Sequence, residues 1–279
     1  MARIQMWKTE APGEKGSPAA QVCDLLVDNL PDVSSFTFID SCAGGGGPIP
    51  IMEATLNQKL RSQGSGPVRF ILTDLFPAVS AWKAIAKRSE NISYIEEPVD
   101  ATKAQRLAEP GKKECRIFNL CFHHFDDPAA ATVLRSAVES ADAFVYVPIQ
   151  EVISNPPRRS RLTKIPGRQH FRDDPSYFTR FLEHDLYRFV AFAHHFPLVP
   201  LFSTTSFLHL PRPTRTPIFA VDGYVSCIRG RTPKELSDLL HRQSDLKLTG
   251  WKFKSGEKMV LPPFGIMYWY IGVKEKSSD

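Results

Sequence analysis

The sequence predicts an α/β fold, a parallel sheet with helices on both faces and a hairpin at its end. Three observations predict it. Short apolar runs of strand formers alternate with helical periodicities up to about residue 148. Several of those runs end in an acid at what becomes one edge of the sheet. Two further strand candidates, 246–254 and 264–273, close the chain around a turn at Lys254-Ser-Gly-Glu257.

Residues 1–16, with Lys8, Glu10, Glu14 and Lys15 around Pro12-Gly13, are expected to be a flexible lead without the apolar core of a signal peptide. Ser17-Pro18 starts a helix whose stripe runs through Val22, Leu25, Leu26 and Leu30 until Pro31 stops it. The central stretch follows. Phe36–Ile39 reads as a strand, ends in Asp40, and passes through Gly44–Gly47 into a helix over 49–62. Glycines let a backbone approach a ligand without Cβ clashes, and the following helix turns free N–H groups toward an acceptor.

Val68–Asp74 is the second strand and also ends in an acid; Pro77 to Arg88 is the next helix. Ile92–Ile95 is a third strand, after which Asp100 precedes a short helix at 101–109. Arg116–Cys121 is the fourth strand and leads into Phe122-His-His-Phe125 and Asp126-Asp127, the acids capping a helix over 128–140. Ala143–Val147 is the fifth strand. Asp40, Asp74, Asp100 and the 119–124 segment therefore meet along the strands' C-terminal edge.

Residues 150–222 change character, being rich in Pro, Arg, His and aromatics; they are expected to form a helical cap over the substrate, between a core at 17–149 and its completion at 223–279. The apolar stretch 177–210 is broken by Glu183, Asp185, Arg188, Pro197 and Pro200, so a cap is favoured over a membrane contact. Thr232-Pro-Lys-Glu235 is a capping box that opens a helix to about Gln243.

These residues resemble the class I S-adenosylmethionine-dependent methyltransferases, whose Rossmann-like sheet has five parallel strands followed by a hairpin of a sixth and an antiparallel seventh. Asp40-Ser-Cys-Ala-Gly-Gly-Gly46 matches the first motif of that family, acid-x-Gly-x-Gly-x-Gly, except that Cys42 replaces a glycine. Cys42–Pro48, Phe122–Phe125 and Asp222–Arg229 are similar to the motifs of a less studied branch. The resemblance implies S-adenosylmethionine as cofactor. Its methionine part would lie along Asp40, Cys42, Ala43, Gly44, Gly45 and Gly46, its ribose on Asp74 beside Leu75, and its adenine near Asp100-Ala101. Asn119 to His124 would flank the transferred methyl.

His123 and His124 are the candidate catalytic bases, since a neutral imidazole takes a proton near neutrality; the plainer reading is a helix cap or a bond to a backbone carbonyl. No metal is expected. His194 and His195 are adjacent, so on a helix they diverge by about 100° and cannot easily share one ion. The net charge of +5 is spread over scattered basic residues, which argues against a nucleic-acid footprint. Five cysteines without ligand spacing suggest reduced thiols and a cytoplasmic location. The expected function is methylation of a small, apolar or aromatic molecule. The alternatives are an NAD(P)-dependent oxidoreductase, a regulatory protein on the same fold, or a protein using the cofactor without methyl transfer. Oligomeric state is left open.

Overall fold

The computed structural model describes residues 7–8, 16–119, 121–151, 230–261 and 265–275. These belong to one compact unit, 1–154 with 230–279. The expected cap at 150–222 falls almost wholly outside the described residues, as do the Asp222–Arg229 motif and His184, His194 and His195.

The strands are β1 (Phe36–Ser41), β2 (Arg69–Thr73), β3 (Ile92–Tyr94), β4 (Lys113–Asn119), β5 (Ala143–Val147), β6 (Ile149–Glu151), β7 (Trp251–Leu261) and β8 (Gly265–Lys274). Their order is β3-β2-β1-β4-β5-β8, with β7 on the far side of β8. The first five pair in parallel. β8 runs antiparallel between β5 and β7. β6 continues along β8 in the register that β5 began, from Ala143↔Val273 to Glu151↔Gly265. The two are one strand interrupted at Pro148, which has no N–H to give and whose carbonyl accepts from Tyr268 N–H at 3.0 Å. The result is the seven-stranded sheet of the methyltransferase-type Rossmann-like fold.

Among the described residues the helices over the sheet are α1 (Pro18–Asn29), α2 (Ile49–Ser62), α3 (Val79–Ala86), α4 (Asp127–Ser140) and α5 (Pro233–His241). Alternation along β5 assigns the faces. Ala143, Val145 and Val147 join Val22, Leu26, Met52, Leu56 and Trp82 of α1–α3. Phe144 and Tyr146 join Val133, Leu134, Leu236 and Leu240 of α4 and α5. Phe38 and Phe70 are direct cross-strand partners and stack at 5.0 Å under α1–α3. Caps match the sequence: Ser17 caps α1, Asp126 caps α4, and Thr232 with Glu235 forms the capping box of α5. No described helix is long and apolar enough to cross a membrane.

Three expectations are corrected. The closing turn does not lie at Lys254–Glu257, because β7 runs straight through it to Leu261. Gly256 is there for space: opposite it in the ladder, the Trp269 indole lies 2.5 Å from where a Cβ would be. Residues 101–109 are not helical. Glu114 and Arg116, on one face of β4 and both buried, hold them as a loop instead. Arg116 donates to the carbonyls of Ala104 and Gln105 at 2.9 and 3.1 Å, and Glu114 accepts from the N–H groups of Leu107 and Ala108 at 2.6 and 2.9 Å. The pair closes at 3.0 Å, which satisfies charges that burial would otherwise make costly. Finally, β4 starts at Lys113 and stops at Asn119, so Cys121 belongs to the turn and not to the strand.

Candidate functional site

The turn after β1 is built by its neighbours. The N–H groups of Cys42 and Ala43 both donate to Thr73 O, at 3.0 and 2.9 Å, and the Thr73 hydroxyl returns a bond to Asp40 O at 3.1 Å. Gly44 N–H donates to Asp74 Oδ2 at 2.9 Å, while its carbonyl accepts from Trp82 Nε1 at 2.8 Å. Gly46 has a φ of 95°, which side-chain-bearing residues rarely adopt, and a Cβ there would lie 2.3 Å from Ile85 Cδ1 and push it aside. Cys42 keeps a glycine-like φ of 127° although it bears a side chain. The departure from the glycine motif thus leaves a glycine's geometry in place and loads it with strain.

Asp40 is 2 % exposed. Burial raises its carboxyl from 3.8 to about 8, with the Asn119 amide pulling it down and the Asp74 charge pushing it up. Asn119, at the end of β4, reaches Asp40 Oδ1 with Nδ2 at 3.5 Å. Its own buried Oδ1 meets no donor among the described residues. An acidic group and an orphaned carbonyl oxygen side by side suit a ligand ammonium.

Asp74 accepts the N–H of Gly44 on one oxygen and that of Phe76 on the other, at 2.9 Å each. A carboxylate has about four acceptor positions, so two stay open for a diol. Leu75 and Phe76 follow on the open edge, 48 % and 81 % exposed. Asp100 is drawn alongside by the bond from Val99 N–H to Asp74 O at 2.8 Å. One oxygen, Oδ1, accepts both the Thr102 hydroxyl at 2.7 Å and the Thr102 N–H at 2.9 Å, which together hold the carboxyl below the usual range. Ala101 packs toward the α4–α5 face.

His123 and His124 occupy a 3₁₀ turn after β4, their ring centroids 3.9 Å apart. His123 is buried and His124 exposed. The buried Cys121 thiol is pushed well up by desolvation, and next by the neighbouring Cys42 thiol. Asp40, Cys42, Gly44, Asp74 and Asn119 therefore form one bonded group. Ala43 is tied to it through Thr73, and Gly45 lies exposed at the crest of the turn.

Residue patterns alone missed Trp82, whose indole holds the turn through Gly44 O, and Arg231. The latter is wholly buried, and its guanidinium binds the carbonyls of Phe122 and Phe125 and the Asp127 carboxylate. An arginine before a capping box carries no sequence signal for such a role.

No protein-family model matches the chain, and no curated protein does. Some solved structures align with the chain at low identity. An O-methyltransferase family protein from Burkholderia thailandensis is 13 % identical, with a TM-score of 0.42 over 93 % of this chain and 58 % of that one. Human N-acetylserotonin methyltransferase in complex with SAM is 11 % identical, with a TM-score of 0.43 over 93 % and 51 %. A protein from Rhodobacter sphaeroides described as a zinc-dependent alcohol dehydrogenase is 11 % identical, with a TM-score of 0.41 over 98 % and 95 %. The chain thus spans a little over half the length of the first two.

Proposed function

We propose that the chain is a class I S-adenosylmethionine-dependent methyltransferase acting on a small, apolar or aromatic acceptor. One observation carries the reading: an antiparallel last strand lies between β5 and β7, on a sheet whose β1 turn is bonded to the acid ending β2. Dinucleotide-binding sheets continue with parallel strands instead. The orphaned Asn119 Oδ1 beside Asp40 supports a ligand bearing an ammonium, which a nicotinamide dinucleotide lacks.

In this reading Asp40 and Asn119 hold the cofactor's ammonium, the Cys42–Gly46 turn takes its chain, and the open positions of Asp74 take the ribose diol. Leu75, and Asp100 with Ala101, border the adenine, with Thr102 holding Asp100 Oδ1. When bound, S-adenosylmethionine supplies an electrophilic methyl on a sulfonium. The protein's part is to align the acceptor in line with it and to take the acceptor's proton on His123 or His124. The aromatic content of residues 150–222 supports an apolar acceptor. Among the described residues Cys23, Cys42, Cys115 and Cys121 are free thiols, which supports our reading of a reducing, cytoplasmic setting.

Calorimetric titration with S-adenosylhomocysteine and with NADH tests the proposal. Binding of the first and not the second is expected. The Asp74→Ala variant should weaken that binding by about 10–100-fold, the worth of one hydrogen bond to a charged group. Binding of NADH alone would overturn it.

A further inference from the structure

We infer that Arg231 is the positioning residue of the His123–His124 turn, its buried guanidinium fixing the backbone from which both imidazoles project. The bonds bracket the two histidines. The guanidinium donates to Phe122 O on one side and to Phe125 O, at 2.9 Å, on the other. A third contact, 2.8 Å to the Asp127 carboxylate, ties it to the first turn of α4. Phe122 O also accepts the Phe125 N–H that closes the 3₁₀ turn, at 3.3 Å, so the arginine reinforces the bond that defines that turn.

The arginine is itself held. Its carbonyl accepts the Tyr146 hydroxyl of β5 at 3.1 Å, and the next residue, Thr232, is locked by the capping box of α5. Below the turn, the Phe122 ring packs edge-on against Phe118 at 5.1 Å, Phe125 at 5.8 Å and Tyr146 at 5.1 Å. Rings thus anchor the apolar side of the segment, and the guanidinium ties the carbonyls at its two ends. A planar fork of five donors can span two carbonyls and a carboxylate; a single ammonium cannot do so with the same geometry. The catalytic meaning of this placement rests on the methyl-transfer reading, whereas the placement itself does not.

The test uses the full chain with isotope-labelled histidine, observing imidazole resonances by NMR and assigning them with His123→Gln and His124→Gln. In Arg231→Gln both resonances should move and broaden while that of His241, on α5, stays. Arg231→Lys should restore them only in part. Asp40, Gly44 and Asp74 lie on the β1–β2 side and Asn119 is held in the β4 ladder opposite Val147, so affinity for S-adenosylhomocysteine should fall by less than about tenfold. Unmoved resonances in a folded variant overturn the inference. So do equal shifts at His241, or a large loss of affinity, because either would mean general loosening. If the arginine variants fail to fold, Tyr146→Phe, which withdraws one hydroxyl from Arg231 O, carries the test: the His123 and His124 resonances move alone, or the inference is wrong. If the wild-type chain did not bind S-adenosylhomocysteine, the methyl-transfer reading would fall and the resonance test would still stand.

Discussion

Raising the pH from about 6 to about 8 should strengthen S-adenosylhomocysteine binding by roughly 50-fold, because the ligand's ammonium requires an ionised Asp40. In the free protein burial holds that carboxyl near 8, so it is protonated across most of this range. With a value near 8, the ionised fraction is about 1 % at pH 6, about 9 % at pH 7 and about half at pH 8. Each full decade is worth about 1.4 kcal/mol. Binding should therefore release about 0.9 proton at pH 7, measurable by calorimetry in buffers of different ionisation enthalpy.

Without ligand the same group acts in the opposite direction on stability. The unfolded chain ionises Asp40 near 3.8, whereas the folded chain keeps the proton until about 8. Folding therefore takes up a proton between these values, and stability falls by about 1.4 kcal/mol per pH unit as pH rises through that window. Asp40→Asn, which resembles the neutral carboxyl, should flatten the slope and lose the ammonium partner. A dissociation constant independent of pH, with no buffer-dependent heat, would refute the reasoning.

Three further outcomes concern packing and strain. Cys42→Gly should raise the melting temperature by an amount equivalent to about 1 kcal/mol, since relief of a positive φ exceeds the entropy a glycine adds to the unfolded chain. Gly256→Ala should destabilise by about 1–3 kcal/mol in denaturant titrations, because its methyl would press on the Trp269 ring. Arg116→Met should cost about 3–5 kcal/mol by leaving Glu114 buried without its partner, and adding Glu114→Gln should recover part of that loss.

The glycine turn, the acids ending β1 and β2 and the three helix caps were legible because each depends on short-range chemistry. Cys42 was legible as a departure from the motif, but its consequence was not: only Thr73 O, which receives two N–H groups, shows that the turn is kept. The Ser-Gly at 255–256 imitates a turn because glycine serves turns and cross-strand clearance alike, and only the opposite strand tells them apart. Residues 101–109 have a plausible helical pattern that the buried charges of β4 override from outside the segment. Arg231 could not be read for the same reason, since its partners lie more than a hundred positions away in the chain.

The shared register of β5 and β6 along β8 has a mechanical consequence. Three residue pairs beyond Val147 carry the ladder past the end of the parallel strands by roughly 10 Å. One flank of the candidate site is therefore a stiff hydrogen-bonded parapet, while the opposite flank is a glycine turn held by a few individual bonds such as Gly44 to Asp74. Amide hydrogens at 266–268 should exchange slowly and that of Gly45, exposed at the crest of the turn, quickly, whereas those of Gly44 and Gly46 are held by Asp74 and Ala43.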